Sequence, residues 1–238
     1  MGERFLKYEM FPPEHDTTAQ IRSAMQSTLE EKLPEFSLRD IASQFILYKM
    51  HQKVQIPDVS SSFQERILGL SQIVSVIRAT VERRNGELLY RPVPEVGTRL
   101  AKQLIRLGQC IAIVLDKPDV DDECFDYIYR VAMDTCYGWH RDIVNVLINN
   151  PNGATKAAVA KEGKMSGSTA FRCLEDLLEL GAVTYEEEET DRPGRKPRRW
   201  CISTELRNLY IHAGIKIPKK KLVFKRKKRN VAKTPKNC

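Results

Sequence analysis

The chain has 238 residues, of which 42% are hydrophobic and 29% are charged. This composition is typical of a folded globular protein and excludes a wholly disordered one, and the length allows one large or two small domains. No apolar run is long enough to span a membrane, and residues 1–8 lack the hydrophobic core of a secretion signal. We therefore expect a cytoplasmic protein with no membrane partner.

The net charge of +8 is unevenly distributed along the chain. Residues 138–238 contain 22 Lys and Arg against 11 Asp and Glu, which leaves a net charge of −3 for residues 1–137. From Lys216 onward there are 11 basic residues and no acidic one. This predicts a disordered basic tail over 214–238 that adds salt-sensitive affinity for any polyanion. A merely solubilising terminus and a nuclear-import signal are the alternatives.

The six cysteines and four histidines predict no metal site. The cysteines form no CxxC pair and are not spaced with histidines in a zinc-binding pattern. Cys110 and Cys173 fall within helical patterns and are predicted to be buried thiols in a reducing compartment. We therefore predict that the protein holds no metal and no other cofactor.

The first half of the chain is predicted to be an all-α bundle of about five helices. The first helix begins near Asp16 and continues to about Lys32, and Pro34 stops it. Ser37 opens the second helix with a pattern close to a capping box. Its apolar residues share one face, namely Leu38, Ile41, Phe45 and Tyr48.

The next three helices have clear start signals and regular apolar spacing. Ser60 caps a helix with one apolar face, formed by Ile67, Leu70, Ile73, Val74, Ile77 and Val81. After a connector over 85–94 comes the most regular stripe in the chain, formed by Leu100, Leu104, Leu107, Ile111 and Val114. Asp119 or Asp121 caps the fifth helix, which ends near Cys136.

Residues 140–204 predict three short helices followed by two strands. The predicted helices occupy 143–148, 154–162 and 166–180, and the predicted strands occupy 182–187 and 199–204. Between the strands lies a loop, 191–198, in which turn-forming residues alternate with Arg and Lys. Three helices followed by a hairpin with a basic tip is an order of elements typical of DNA-binding domains.

The third of these helices contains the residue types that duplex recognition needs. Ser166 or Ser168 is a suitable N-cap, and the helix N-terminus favours a phosphate. The core face is formed by Ala170, Leu174, Leu177 and Leu178. On the other face Ser168, Thr169 and Arg172 can contact base edges in the major groove. Basic residues of the hairpin can reach the backbone or the minor groove, namely Arg192, Arg195, Lys196, Arg198 and Arg199.

The segment 140–204 resembles the winged helix-turn-helix domains of MarR- and ArsR-like regulators. Residues 165–172 are similar to the start of their recognition helix, and residues 194–200 are similar to their wing. The resemblance implies a winged helix over 138–213 that binds double-stranded DNA. Winged helices also serve as protein-contact modules, and the carboxylates of 186–189 favour that alternative because they repel phosphate. Those carboxylates could instead form a solvated face or hold the wing arginines when DNA is absent.

A second resemblance covers residues 2–136. The sequences of 77–83 and 92–104, and the helix that leads to Thr135, are similar to the region after the ATPase core in MCM-like AAA+ relatives of phages and mobile elements. Residues 2–8 resemble the strand that leaves such a core. The resemblance implies that 1–137 form a helical lid, with Arg99 as the sensor 2 arginine near the nucleotide γ-phosphate. It makes Arg78 a second nucleotide-sensing candidate.

The chain lacks two motifs that ATP hydrolysis needs. It contains no GxxxxGK[ST] phosphate loop and no Walker B strand with a magnesium-binding carboxylate. We therefore predict that it is not an enzyme by itself and is at most part of an ATPase, as the product of a split or truncated gene or a dissected C-terminal portion.

Two functional hypotheses follow. The leading one is duplex DNA binding through the winged helix, as the C-terminal part of a DNA-associated AAA+ ATPase or helicase. The alternative is a non-catalytic lid module that completes an ATPase on another chain, with the core encoded upstream and the winged helix used for protein contacts.

Overall fold

The computed structural model describes residues 22, 38–52, 55–136, 138–187 and 197–218. Over these residues the protein is mainly helical, with two small antiparallel sheets. The helices are α1 (Leu38–His51), α2 (Ser61–Arg78), α3 (Thr98–Val114), α4 (Asp122–Asp134), α5 (Trp139–Asn149), α6 (Lys156–Glu162), α7 (Gly167–Glu179) and α8 (Thr204–His212). The strands are β1 (Arg83–Arg84), β2 (Glu87–Leu88), β3 (Ala154–Thr155), β4 (Val183–Glu187) and β5 (Arg198–Ile202).

The helices predicted between residues 38 and 136 are confirmed, and two of their capping residues act as expected. The Ser60 hydroxyl accepts a hydrogen bond from the Phe63 amide at 3.2 Å, and Asp121, rather than Asp119, accepts from the Cys124 amide at 3.1 Å. The prediction that Val81 belongs to the second of these helices is wrong, because α2 ends at Arg78. Except for Arg22, the predicted first helix at 16–32 lies outside the described residues. The predicted disordered tail over 214–238 lies outside them only from Lys219 onward. Its first residues are ordered instead, because Ile215 and Ile217 pack against the core.

The α1 helix places most of its apolar side chains in solvent. The exposed residues include three of those predicted to share one face, and the full set is Ile41, Phe45, Ile46, Leu47, Tyr48 and Met50. The buried residue is instead Lys49, whose ammonium group forms an ion pair with the Asp116 carboxylate. This contact links α1 to the end of α3 through charge rather than through apolar packing.

The buried stripe of α3 differs from the predicted one. Its buried residues follow strict steps of four, at Leu100, Leu104, Gly108 and Ala112. Leu107 and Ile111 are half-buried, and Val114 is 53% exposed. A Cβ atom on Gly108 would lie 2.8 Å from the Ile128 Cδ1, so a residue without a side chain lets α3 and α4 approach closely. Hydrophobic spacing cannot detect such a residue, which explains the error.

A short hairpin occupies part of the predicted connector over 85–94. Arg83 in β1 is opposite Leu88 in β2, and the turn residues Asn85 and Gly86 have φ angles of 53° and 88°. Asn-Gly is the dipeptide best suited to a two-residue hairpin turn because both positions need positive φ. The sequence analysis missed the hairpin because its strands are only two residues long.

Beyond α5, the chain forms a three-stranded sheet with the order β3-β5-β4. Ala154 in β3 pairs with Trp200 in β5, and Val183 in β4 pairs with Ile202. The helix predicted to begin at residue 154 begins at Lys156 instead, because Ala154 and Thr155 extend along β5. Thr155 then caps α6 by accepting a hydrogen bond from the Ala158 amide at 3.3 Å.

The α8 helix was missed by the sequence analysis, which extended the last strand to Thr204. Ser203 caps α8 by accepting from the Leu206 amide at 3.1 Å, so Thr204 is helical. The end of α8 packs on α2, where the Arg66 Nε donates to the Ala213 carbonyl oxygen at 3.4 Å. A Cβ atom on Gly69 would lie 3.0 Å from the Ala213 amide nitrogen, which indicates a close approach.

One hydrophobic core extends through both halves of the described chain. Its largest fully buried side chains come from α2, α3, α4, α5, α7, β5 and α8, and include Ile67, Leu104, Ile128, Leu147, Leu177, Trp200 and Tyr210. The packing of α8 on α2 gives the C-terminal elements a fixed position on the helical bundle. The predicted division between residues 137 and 138 stays a prediction.

Candidate nucleic-acid interface

The N-terminus of α7 contains a cluster of three hydroxyl groups. Ser166 is the N-cap, and its Oγ accepts a hydrogen bond from the Thr169 amide at 3.1 Å. The same Oγ lies 2.9 Å from the Ser168 Oγ and 2.8 Å from the Thr169 Oγ1. The cap is therefore Ser166, and the cluster presents donors and acceptors at the positive end of the helix dipole.

The faces of α7 divide as the apolar spacing predicted at three of the four core positions; the fourth, Leu178, is only half-buried, and Asp176 is buried instead. Ala170, Leu174 and Leu177 are completely buried, whereas Ser168 and Arg172 are exposed and Thr169 is half-buried. The helical repeat continues this stripe to Glu175, which is half-buried, and Glu179, which is exposed. Because these two carboxylates would repel a phosphate, the face suited to nucleic acid is confined to the first two turns.

Arg198 and Arg199 in β5 have partners within the protein. The Arg198 guanidinium lies 4.1 Å from the centre of the Tyr185 ring, and its Nη1 lies 3.7 Å from the Glu175 Oε1. The Arg199 Nη1 donates to the Gly153 carbonyl oxygen at 3.2 Å. Both arginines are half-buried, so neither is a fully solvated cation, and each already contacts a group of the protein.

The acidic end of β4 lies opposite these arginines in the sheet. Glu186 pairs with Arg199 and Glu187 pairs with Arg198. Opposite charges in directly facing positions stabilise a sheet, and this register agrees with the interpretation in which the carboxylates hold the wing arginines. The hairpin residues Arg192, Arg195 and Lys196 lie outside the described residues, so their predicted contacts stay predictions.

Sequence analysis overlooked lysines close to the start of α7. Lys156 and Lys164 are exposed, and the Lys156 Nζ lies 5.6 Å from the centre of the Phe171 ring on α7. Lys164 is two residues before the Ser166 cap. Their position beside a predicted recognition helix was a usable signal, because phosphate contacts come from elements that flank such a helix.

A second candidate site is a pocket of about 570 Å³ lined by residues of α2, α3, α5 and α7 and of the loop before α3. It contains both arginines proposed to face a nucleotide, Arg78 and Arg99. The Arg99 Nη2 lies 4.0 Å from the Glu95 carboxylate. Two aromatic residues also line the pocket, namely Tyr90 and Trp139, which are 54% and 45% exposed.

His140 and Tyr90 are neutral in this pocket, so its positive charge comes from the arginines. Burial lowers the pKa of His140, against the opposing effects of a hydrogen bond to Ile77 and the charge of Asp176. The His140 Nδ1 lies 3.3 Å from the Ile77 carbonyl oxygen. A hydrogen bond with the Glu82 carboxylate raises the pKa of Tyr90, which keeps its hydroxyl protonated. Both rings are therefore uncharged at neutral pH.

An ion pair joins the β1–β2 hairpin to α7 beside this pocket. The Arg83 Nε donates to the Asp176 Oδ1 at 2.8 Å, and the two side chains are only 18% and 9% exposed. The Arg83 Nη2 is buried with no hydrogen-bond partner. No local pattern predicts this contact, because the two residues are distant in the chain and lie on different elements.

The cysteines are distributed differently from the prediction. Cys110 is exposed and Cys173 is half-buried, so the prediction of two buried thiols is wrong for Cys110 and only partly right for Cys173. Of the cysteines that the structure describes, Cys124 and Cys136 are buried, and burial raises the pKa of Cys136 to about 12. Among the described residues no cluster of His, Cys, Asp and Glu could hold a metal ion. None of the described helices is long and apolar enough to cross a membrane.

Comparison of the chain with protein families, with curated proteins and with solved structures gave no match. The similarities to winged-helix regulators and to the lid of AAA+ proteins therefore stay expectations.

Proposed function

We propose that this chain binds double-stranded DNA through a winged helix over 138–213, as the C-terminal part of a DNA-associated AAA+ ATPase or helicase. The observation that supports the proposal is the order of elements: a helix, a strand, two helices and two further strands, with the sheet order β3-β5-β4. In this arrangement α7 buries one face and leaves Ser168 and Arg172, in its first two turns, exposed. A cytoplasmic location is part of the proposal.

The start of α7 would enter the major groove. Ser168 and Thr169 offer short hydroxyls, and Arg172 is a long forked donor that can bind the two acceptors of a guanine. Lys156 and Lys164 flank the helix start and are exposed, so they can bind phosphates on either side of the groove. The dipole of α7 and its free amide groups favour a phosphate at the same end.

The hairpin would make a smaller contribution than its composition suggests. Arg198 and Arg199 would have to leave the Glu175 carboxylate, the Tyr185 ring and the Gly153 carbonyl to reach DNA. Breaking these contacts costs free energy that must be subtracted from any gain at the phosphates. We therefore assign the backbone or minor-groove contact chiefly to the tip residues Arg192, Arg195 and Lys196.

The proposal is tested by separating the folded domain from the basic tail. Fluorescence anisotropy with a labelled random duplex across a salt series would compare the full chain with a chain that ends at Pro218. This truncation keeps Ile217, which packs against the core. We expect the shorter chain to bind with a salt dependence equivalent to several phosphate contacts. If binding disappears with the tail, the domain does not bind duplex DNA.

A second candidate function is favoured by the meeting of Arg78 and Arg99 in one pocket. In this account the chain is a non-catalytic lid that completes an ATPase on another chain, and Arg99 faces the γ-phosphate. The test is the ATPase rate of a cognate core supplied with the Arg99→Ala chain. The matched control is Arg106→Ala, which removes an exposed arginine from the same helix. Equal rates with both variants would exclude the sensor role.

A further inference from the structure

The Arg78–Arg99 pocket has features that neither duplex binding nor a lid role requires. Two large aromatic rings, Tyr90 and Trp139, line it while about half of each residue is exposed. Aromatic side chains of this size normally bury most of their surface. Two half-exposed rings beside two guanidinium groups are suited to a ligand that combines flat bases with phosphates.

The charge of the pocket distinguishes a free nucleoside triphosphate from a single strand of nucleic acid. Of the charged residues that line it, Arg78 and Arg99 are positive and Glu95 is negative, which gives one net positive charge. A free nucleoside triphosphate has several charges on adjacent phosphates, and its usual site is a cradle of backbone amides after a glycine-rich loop. A single strand has one charge per nucleotide, which this pocket can match.

We propose that the pocket binds single-stranded nucleic acid, with a base stacked on Trp139 and the neighbouring phosphates held by Arg78 and Arg99. Tyr90 lines the same pocket and offers a second half-exposed ring for stacking. Stacking on aromatic rings combined with arginine contacts to the backbone is the general mode of sequence-tolerant strand binding. This site goes beyond the duplex-binding function and does not depend on it.

The two sites share one helix. Cys173 of α7 lines the pocket and is the next residue after Arg172, which lies on the exposed face. A nucleic acid with a junction between duplex and single strand can therefore contact both surfaces of α7. We expect a partial duplex with an overhang to bind more tightly than either a blunt duplex or a strand alone.

Tryptophan fluorescence gives a direct readout of this site. The chain contains two tryptophans, and Trp200 is only 1% exposed, so it serves as an internal reference. Titration with a short oligothymidylate should quench Trp139 through stacking, and the Trp139→Phe chain should lose the quenching while keeping the Trp200 signal. Measured by anisotropy, Trp139→Ala should weaken strand binding about fivefold or more.

Matched arginine variants separate a specific pocket from general attraction to a basic protein. Arg78→Gln and Arg99→Gln should each weaken strand binding about tenfold. Arg106→Gln removes the same charge from an exposed position of α3 outside the pocket lining and should have little effect. Thermal unfolding of each variant would confirm that it folds.

Three results would overturn the proposal. These are the absence of Trp139 quenching by the strand, an equal loss of affinity in Arg106→Gln, and stronger quenching by a free nucleoside triphosphate than by the strand. Different variants test duplex binding and strand binding, so one proposal can be wrong while the other holds. Arg172→Ala should weaken binding of the blunt duplex but leave the short strand unaffected, whereas Trp139→Ala should do the reverse.

Discussion

The start of α7 and the strand β5 were both predicted to contact DNA, yet the protein treats their side chains differently. Ser168 and Arg172 lie on an exposed helix face. Arg198 and Arg199 lie half-buried in a sheet, with a carboxylate, an aromatic ring and a carbonyl oxygen as partners. The arginines are equally suited to DNA by residue type, but Arg198 and Arg199 would first have to leave an ion pair, an aromatic ring or a carbonyl oxygen, whereas Arg172 lies on an exposed helix face.

The difference shows that residue type alone does not determine whether a side chain is available to bind DNA. An arginine next to a predicted hairpin tip has the same composition signal whether it faces solvent or a neighbouring glutamate. Its availability depends on the register that places Glu187 opposite Arg198 and on the approach of Glu175 from α7.

The largest expected effect concerns the buried side of α7. Asp176→Ala removes the partner of Arg83 and leaves a largely buried guanidinium without its carboxylate. Breaking a buried ion pair from one side typically costs about 3–5 kcal/mol. We expect a loss of this size in the free energy of unfolding, measured by urea denaturation.

Glu179→Ala is the control for Asp176→Ala because it removes an exposed carboxylate from the same helix. Its effect should stay within about 0.5 kcal/mol. A similar small change in Asp176→Ala would mean that the ion pair does not anchor α7 to the hairpin.

A smaller effect is expected at the turn that supports β5. Gly153 has a φ of 82°, and a Cβ atom there would lie 2.6 Å from the Cys201 Sγ and 2.9 Å from the Trp200 carbonyl oxygen. Gly153→Ala therefore adds steric overlap to the backbone strain of about 1–2 kcal/mol that a positive φ imposes on alanine. Thermal unfolding should give a distinctly lower midpoint.

Gly181→Ala separates backbone strain from overlap. Gly181 has a φ of 70°, but a Cβ atom there would meet nothing within 4 Å. This variant should lose only the strain component of about 1 kcal/mol. Equal losses in the two variants would contradict the close packing of Gly153 against β5.

The smallest effect is a pH dependence at the pocket. Burial lowers the pKa of His140 below its ordinary value of 6.5, so the unfolded chain binds a proton more readily than the folded one. Its contribution to stability is complete well above pH 6.5 and is lost as the pH falls below that value. His140→Gln should reduce the fall in unfolding free energy on acidification, as followed by urea denaturation across a pH series. An unchanged pH profile would contradict the neutral state of the half-buried His140.

The sequence predicted elements whose signal is local and missed those that depend on distant partners. The spacing of Ala170, Leu174 and Leu177 predicted the buried face of α7 because it is a property of one helix. The stripe of α3 was misjudged because Gly108, which has no side chain, marks the closest approach to α4. The strand β3 and the helix α8 were missed because one is two residues long and the other follows β5 without a loop.

In the candidate sites, too, local features were predictable from the sequence and contacts with distant partners were not. The exposure of Ser168 and Arg172 was predictable from helical periodicity, whereas the partners of Arg198 and Arg199 depend on sheet register and on α7. The similarity to AAA+ lids singled out Arg78 and Arg99, but it did not predict that Trp139 and Cys173 line the same pocket. Those two residues come from elements that the sequence analysis placed in the other domain.

The most direct test of the central claim compares Arg172→Ala with Arg198→Ala in binding to duplex DNA, by anisotropy at a fixed moderate salt concentration. Each variant removes one guanidinium, so the comparison holds the change in net charge constant. We predict that Arg172→Ala weakens binding by about 1–3 kcal/mol and that Arg198→Ala has a smaller effect. A larger loss in Arg198→Ala than in Arg172→Ala would contradict the assignment of DNA binding to the first two turns of α7.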